Sequence, residues 1–434
     1  MTFNKFILYI IFIIQILAAN CHSENSIFPV VLRPITSGPV SLALGGSSIV
    51  HIDDPLSAIQ NPAKLPLTKS PQYTLGFYNA FFKEISHLKN NGFSGTEGSN
   101  VSEFKMNYLG LSCPFRLFSM DMAAAISYAP LYSFERSFSF QQHDKNALTD
   151  QRQWFFNQDG YMSAISIAYG VLFHPNWSFG ISWNLFHEDL CDNELRQEIS
   201  MKGYRNDLIY FEEDYHQNIS HRYSGNNLNL GLMWRLTSDL NVGAVFHTRF
   251  NNTVSSQITE KHTFGGTQPN LNFLYSDSDH LEIPMSWGIG ISYDIVDNWK
   301  LFVDFRQILW ETTHYTNSLE SIQYLSGYSE DYKNLNVQMI HLGSVYRSTH
   351  NIGCFTPVFR MGTSSCLDRG MIHPEPDTTI GFGLGLVGKN LAFNIGYQYQ
   401  IYKEIEQELM QESTLQDKIR SNVVGMSLTY RIKN

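Results

Sequence analysis

The sequence predicts an all-β protein, an antiparallel transmembrane β-barrel of about fourteen strands with an N-terminal hatch. Aromatic residues make up 14% of the chain, and charged residues only 16%, against roughly 25% in ordinary soluble domains. The mean hydropathy is −0.20, and no apolar run in the body of the chain reaches the about 20 residues of a spanning helix. Apolar residues at every second position are typical of outer-membrane barrels, and so are connections that alternate between short turns and long loops.

The first 21 residues have the pattern of a secretory signal. Lys5 supplies the positive charge, Phe6 to Leu17 form a short apolar core, and Ala18-Ala19 supply small residues near the cleavage site. Cys21 leaves lipid attachment open, although Asn20 is an unfavourable predecessor. We therefore expect a signal peptide at 1–21, a hatch at 22–70 and a barrel at 71–434.

The hatch segment contains "GGSSIVHIDDPLSAIQNPAKL" at residues 45–65. Helix-forming residues run from Asp54 to Gln60 and should end at Asn61-Pro62, because proline disfavours helix in its predecessor. Asp53 and Asp54 fit helix N-capping better than metal binding, since no further ligands accompany them. Gly45-Gly46 lacks the lysine of a phosphate-binding loop. A compact segment of this kind suits a plug in a barrel lumen.

The barrel strands are predicted from period-2 alternation. Trp287, Ile289, Ile291, Tyr293 and Ile295 alternate with small or polar residues, and the stretch from Trp299 to Phe305 repeats this design. Short turns are expected near Pro114 and residues 174–176, 237–239, 297–298, 350–351 and 388–390. Long loops are expected near residues 90–102, 141–159, 188–225, 251–280, 311–336, 365–377 and 404–420. These connections give about fourteen strands, place both chain ends on the periplasmic side, and pair the last strand with the first.

Pro130 lies inside the predicted third strand, between Ala129 and Leu131. Proline has no N–H to donate to the hydrogen-bond ladder, and a closed barrel has no edge strand where the missing donor is tolerated. A bulge or an inward kink is therefore expected. The alternative is that Pro130 marks where the strand leaves the membrane.

The predicted lumen face carries apolar side chains where a water-filled porin would be polar. They are Phe186, Met233, Val245, Phe302 and Met339, with Gly243 and Gly343 beside them. One interpretation is a path for an oily ligand. The other is a one-residue error in the predicted strand phase.

Other function classes find little support. The formal net charge of −10 argues against a nucleic-acid partner. "GLGLVG" at 383–388 alternates with apolar residues inside a strand, which does not fit a dinucleotide loop. No metal-ligand spacing and no Ser-His or acid–base arrangement emerges, so we expect no metal, no cofactor and no enzyme. The cysteines from Cys113 onward are expected to be free thiols.

The hatch also resembles a known family. Ala43, Gly46, Asp53-Asp54 and Asn61-Pro62-Ala63 look like the hatch signature of the FadL-like outer-membrane transporters of long-chain fatty acids and other hydrophobic compounds. The blocks 125–138 and 281–310 are similar to the third strand and to a strand–turn–strand unit of that family. Two positions depart from the pattern: Pro55 follows the aspartates, and Asn434 replaces a terminal aromatic residue.

The resemblance implies a function. Hydrophobic compounds such as fatty acids would be captured at extracellular loops, pass along the lumen under the hatch, and leave through an opening where the third strand kinks. It also implies outer-membrane lipids as neighbours, and we expect a monomer. The alternative is a barrel that acts as a binding or secretion-shuttle protein without transporting small molecules, because the same signature occurs in such relatives.

Overall fold

The computed structural model describes residues 33–35, 38–51, 56–89, 94–143, 151–206, 210–264, 271–316, 321–323, 336–367, 376–402, 405–410 and 413–432. The predicted signal peptide, Cys21, Asp53, Asp54 and Asn434 lie outside these residues. Among the residues described, no helix is both long and apolar enough to cross a bilayer.

The described chain is built mainly from β-strands. In chain order they are β1 Arg33–Pro34, β2 Gln72–Lys89, β3 Ser94–Leu117, β4 Met120–Ser133, β5 Arg136–His143, β6 Gln151–His174, β7 Trp177–Phe186, β8 Glu194–Asn206, β9 Tyr210–Arg235, β10 Leu240–His247, β11 Phe250–Phe264, β12 Leu271–Ile283, β13 Ser286–Val296, β14 Trp299–Ile308, β15 His314–Thr316, β16 Ser321–Gln323, β17 Val337–Arg347, β18 Thr356–Cys366, β19 Thr378–Val387, β20 Leu391–Ile401, β21 Ile405–Met410 and β22 Ser413–Arg431.

Fourteen of these strands form an antiparallel barrel, as predicted. The barrel closes because β2 pairs with β3 on one side and with β22 on the other, with Tyr73 opposite Tyr430. Ile289, Ile291 and Tyr293 face outward and are 42–50% exposed, which is the apolar outer band that a membrane requires. The barrel strands are β2, β3, β4, β6, β7, β9, β10, β13, β14, β17, β18, β19, β20 and β22.

The first short turn differs from the prediction. Pro114 is not in a turn but in the β3–β4 ladder, opposite Ala123, and the turn lies at Phe118–Ser119. The β2–β3 ladder already ends at Gln72 and Ser112. Pro114 therefore has a neighbouring strand on one side only, where a missing N–H is tolerated. The turns at 175–176, 237–239, 297–298 and 389–390 lie where they were expected.

The prediction of long polar loops was wrong for a large part of the chain. Residues 194–206, 210–225 and 250–264 continue as paired strands, and 271–283 complete a hairpin with β11. Strands such as β6 and β9 have 24 and 26 residues, far more than the about 9–11 that cross a bilayer. Beyond the bilayer a strand has no lipid-facing side, so it can be largely polar and still be a strand.

The extended hairpins form a second sheet above the barrel. It runs through β5, β6, β8, β9, β11 and β12. Its inner face closes over the barrel with an apolar cluster, which we call the cap cluster. Its buried members are Phe134, Met162, Ala164, Phe186, Leu195, Tyr223, Phe250, Val254, Leu281, Ile283, Trp310, Val337 and Met339.

None of the four cysteines among the described residues forms a disulfide, as expected. They are Cys113, Cys191, Cys354 and Cys366.

Candidate functional site: hatch, lumen and wall gap

The hatch enters the barrel as short helical pieces. Helix α1 spans Pro39–Ala43, helix α2 spans Ser57–Gln60, and a 3₁₀ helix spans Pro62–Leu67. Helix α2 ends at Asn61, whose backbone is extended, as the following proline predicts. The Asn61 side chain accepts a hydrogen bond from Ala63 N (3.1 Å) and donates one to Ile49 O (2.8 Å). Asn61 thus ties the two halves of the hatch together.

A belt of inward-facing glycines makes room for the hatch. At Gly180 a Cβ would overlap the backbone of Pro62 and Ala63, and at Gly362 it would overlap the backbone of Leu44 and Gly45. Belt glycines lie opposite one another on neighbouring strands, so the hatch backbone approaches the wall closely. The opposed pairs are Gly170–Gly180, Gly180–Gly231, Gly243–Gly290, Gly343–Gly362, Gly362–Gly381, Gly383–Gly396 and Gly396–Gly425.

Polar side chains of the wall bind the hatch backbone. Asp304 on β14 is fully buried, and its Oδ2 accepts hydrogen bonds from Ser48 N (2.7 Å) and Ile49 N (3.0 Å). His341, opposite Asp304 on β17, hydrogen-bonds Gly45 O through Nδ1 at 2.8 Å. Because a carbonyl only accepts, His341 Nδ1 carries the proton.

Three further hydrogen bonds extend this anchoring. Arg306 donates to Ser48 Oγ (3.0 Å), Asn229 donates to Ile59 O (2.9 Å), and Ser178 donates to Ala63 O (2.7 Å). Of the three, the Arg306 bond is charge-assisted and therefore of the stronger kind. The hatch is therefore fixed to several strands around the barrel.

The residues of the hatch signature occupy different places in this arrangement. Ala43 ends helix α1 and is buried, and Gly46 has a left-handed φ of 92° beside the His341 ring. Asn61, Pro62 and Ala63 lie against Gly180 and Gly231. Asp53 and Asp54 lie outside the described residues. Asp304 and Arg306 share a strand face with the inward residue Phe302 by alternation, but the sequence alone assigned them no role and did not single out His341. A charged side chain at an inward strand position was the available signal.

The five lumen residues face inward and are buried, at two levels. Met233, Val245 and Phe302 pack with Ile49, Val50 and Ala63 of the hatch. Phe186 and Met339 belong to the cap cluster higher up, where Phe186 stacks on Phe250 with ring centroids 4.6 Å apart. Apolar side chains of the protein pack in the interior at both levels, beside the polar side chains that hold the hatch. Whether these residues contact a ligand stays a prediction.

The wall separates beside the third strand. The β3–β4 ladder runs from Leu117 and Met120 up to Leu109 and Tyr128. Beyond that point β3 pairs with β2 alone, and β4 pairs with β6. We call the space between β3 and β4 beyond Tyr128 the wall gap.

The predicted kink region borders the wall gap. The β4–β6 register shifts by one residue between Pro130 and Tyr132, so that Leu131 has no opposite residue on β6. Leu131 O instead accepts a hydrogen bond from Ile35 N (2.8 Å). Ala129 packs with Leu56 and Ile59 of the hatch. An opening role for this region stays a prediction.

The N-terminal strand β1 occupies the edge of the wall gap. Arg33 lies opposite Ser133 on β4, and Arg33 Nη1 donates to Glu135 O at 2.7 Å. Arg33 also forms an ion pair with the buried carboxylate of Glu84 (3.4 Å), to which Arg136 Nε donates at 2.8 Å. The strand is held by main-chain pairing and by a buried charge.

A serine, a histidine and an aspartate meet on the upper sheet. Ser256 Oγ lies 2.7 Å from His221 Nδ1 and 3.2 Å from Asp279 Oδ2. Desolvation lowers the pKa of His221 to about 4, so its imidazole is neutral at pH 7. The carboxylate only accepts, so Ser256 donates to Asp279 and receives the Nδ1 proton of His221. In a hydrolase the histidine stands between the other two groups and takes the serine proton. This order differs, and the arrangement is a structural hydrogen-bond chain.

The described residues contain no group of three or more His, Cys, Asp or Glu side chains that could hold a metal ion.

Solved structures resemble the chain over nearly its whole length. A Pseudomonas aeruginosa FadL homologue has a TM-score of 0.62 at 11% identity, over 92% of this chain and 99% of its own. The P. putida toluene transporter TodX has a TM-score of 0.60 at 13% identity, over 92% and 99%. The Ralstonia pickettii toluene transporter TbuX has a TM-score of 0.51 at 14% identity, over 91% and 98%. No curated protein matches in sequence.

The fold and hatch define a plugged fourteen-stranded barrel of the FadL type, which confirms the resemblance read from the sequence. The family model BamG matches residues 4–428. The chain belongs to the BamG family.

Proposed function

We propose that the protein is an outer-membrane channel for hydrophobic compounds, with both chain ends in the periplasm. The wall gap carries this proposal. A barrel wall in a bilayer must satisfy its backbone groups internally, so a separated ladder needs a local substitute. Here strand β1 pairs with β4, and Ile35, which follows β1, supplies a main-chain donor to Leu131 O.

Strand β1 would act as a stopper in this gap. Pro130 follows Met120 by ten residues, and a tilted strand crosses the bilayer in about 9–11 residues. The gap therefore opens at the outer rim of the membrane span. A compound that leaves the lumen there meets the edge of the hydrocarbon layer, and moving on into that layer is favoured by about 25 cal/mol per Å² of apolar surface. The toluene transporters TodX and TbuX share this fold, and long-chain fatty acids are a second substrate class of the same character.

The filled interior favours the second candidate, a binding or shuttle barrel without small-molecule transport. Hatch residues Ile49 and Val50 close the lower lumen, and the cap cluster closes the upper lumen. Transport requires that both rearrange. A binding protein requires neither.

A reversible lock on β1 separates the two candidates. Arg33 and Ser133 are directly opposite. Directly opposite Cα atoms of an antiparallel pair lie about 4.5–5.5 Å apart, within the about 4.4–6.8 Å that a disulfide spans, so R33C and S133C can form a disulfide. We expect the oxidised double variant to lose uptake of radiolabelled oleate or toluene by cells and to regain it with dithiothreitol. Each single variant is the control.

Uptake that is equal in the oxidised and reduced double variant contradicts passage past β1. Uptake that is equal in cells with and without the protein favours the second candidate.

A further inference from the structure

The outer face of the upper sheet carries a grid of polar side chains around one exposed aromatic ring. Ser137, Asn157, Glu198 and Asn218 lie opposite one another in a row across β5, β6, β8 and β9. The next row across the same strands is Ser139, Phe155, Ser200 and His216. Phe155 is 43% exposed.

A groove of about 410 Å³ runs over this grid, within the about 300–1,000 Å³ typical of ligand sites. Ser99 of β3 forms its other side. The groove is lined by Ser99, Ser137, Phe138, Ser139, Phe155, Phe156, Asn157, Glu198 and Ser200.

We propose that this groove binds an oligosaccharide. A pyranose has an apolar C–H face, which packs on an aromatic ring, and hydroxyls that both donate and accept around its rim. Phe155 supplies the ring. Cross-strand neighbours of Phe155 lie about 5 Å away, and Asn157 and its row lie about 7 Å along the strand, which are the dimensions of one sugar.

The polar groups match a neutral sugar in type. Among the described residues, the side chains of Ser99, Ser137, Asn157 and Ser200 make no hydrogen bond within the protein, so they are available to a ligand. The Glu198 side chain is 55% exposed, and its carboxylate can accept hydrogen bonds from two sugar hydroxyls. His216 Nδ1 lies 3.8 Å from the same carboxylate. The other ring nitrogen of His216, Nε2, lies 3.1 Å from Asn218 Nδ2.

Other ligand classes fit less well. The eight grid positions contain no lysine or arginine, which phosphate-rich ligands require. Phe155 lies ten residues beyond Ile165, about 33 Å along the strand, so it stands clear of the membrane span. A peptide strand inserted between β3 and β5 would separate these two strands by two strand spacings, about 9.6 Å. Cα atoms of β3 and β5 approach within 8 Å, which leaves no room for it.

The test is saturation-transfer NMR on the full-length protein in nanodiscs. The probes are maltohexaose, laminarihexaose, chitohexaose and the core oligosaccharide released from lipopolysaccharide by mild acid and then dephosphorylated with hydrofluoric acid. We expect saturable transfer from at least one probe, weakened about tenfold or more by F155S and retained in F155W. T253A, on the exposed face of β11, is the control and should leave binding unchanged.

Binding of the core oligosaccharide alone identifies the membrane's own saccharide as the ligand, and binding of a neutral hexaose identifies a foreign glycan. Absence of binding for all four probes overturns the proposal. Equal binding by wild type and F155S, with both variants folded by gel mobility, also overturns it.

Discussion

The carboxylate of Asp304 accepts the backbone N–H of Ser48 at 2.7 Å, although 256 residues separate the two in sequence. Asp304 is fully buried and also holds Ile49 N. A buried anion is stable there because two donors face it. This bond fixes the middle of the hatch to the barrel wall.

Replacing Asp304 should release the hatch without dissolving the barrel. D304A removes the acceptor for two buried N–H groups, at a cost of about 1–3 kcal/mol each. We expect a cysteine at the buried Ser47 position to react with a maleimide much faster in D304A, in a background whose other cysteines are serine. D304N keeps an acceptor oxygen, so the cysteine at position 47 should react more slowly with the maleimide in D304N than in D304A. Equal rates in D304A and the parent would show that Asp304 does not hold the hatch.

A side chain at Gly362 should prevent the hatch from docking. The added Cβ of G362V meets the Leu44 and Gly45 backbone, which cannot move aside as a flexible side chain can. Overpacking of this kind costs about 1–3 kcal/mol or more. We expect trypsin to cleave detergent-solubilised G362V after Lys64, which is 1% exposed in the intact protein. G76A, whose Cβ has its nearest neighbour at 3.4 Å, is the control; if both variants resist trypsin equally, the belt is not required.

The upper sheet should lose stability in mild acid. The pKa of His221 is about 4 in the folded protein, below the about 6.5 of an unfolded histidine. The unfolded state therefore binds more protons between pH 6.5 and 4, and stability is lost as the pH falls through this window, by up to about 3 kcal/mol. Amide exchange of β9 and β11 should accelerate on acidification. H221Q should flatten this dependence, and an equal dependence in H221Q would assign it to other groups.

Tags should report the orientation of the barrel. A tag inserted at residues 265–270, between β11 and β12, should bind antibody on intact cells. A tag at residue 238, in a short turn, should bind antibody only after the outer membrane is permeabilised. The reverse pattern would place the long hairpins in the periplasm.

The sequence predicts what the bilayer dictates. Ile289, Ile291 and Tyr293 alternate because one strand face meets lipid, and a period-2 pattern is sufficient to find them. Residues 194–206 were predicted as loop because that constraint ends above the membrane. The hatch contacts were beyond sequence reasoning, since Asp304 and Ser48 are brought together by the closure of the whole barrel.

The β1 contacts show the same limit. Arg33 forms an ion pair with Glu84, and its strand pairs with β4, because the β3–β4 ladder stops and leaves room for both. A single sequence does not show where a ladder stops. Pro130 indicated that this strand was irregular. It did not indicate that the N-terminal segment would be its partner.

The glycine belt constrains the path of the hatch. The hatch backbone lies against bare wall backbone on several strands, so only a segment that follows this one path fits without a clash. The wall therefore acts as a mould for the N-terminal segment, and a side chain added at any position of the belt would distort the same path.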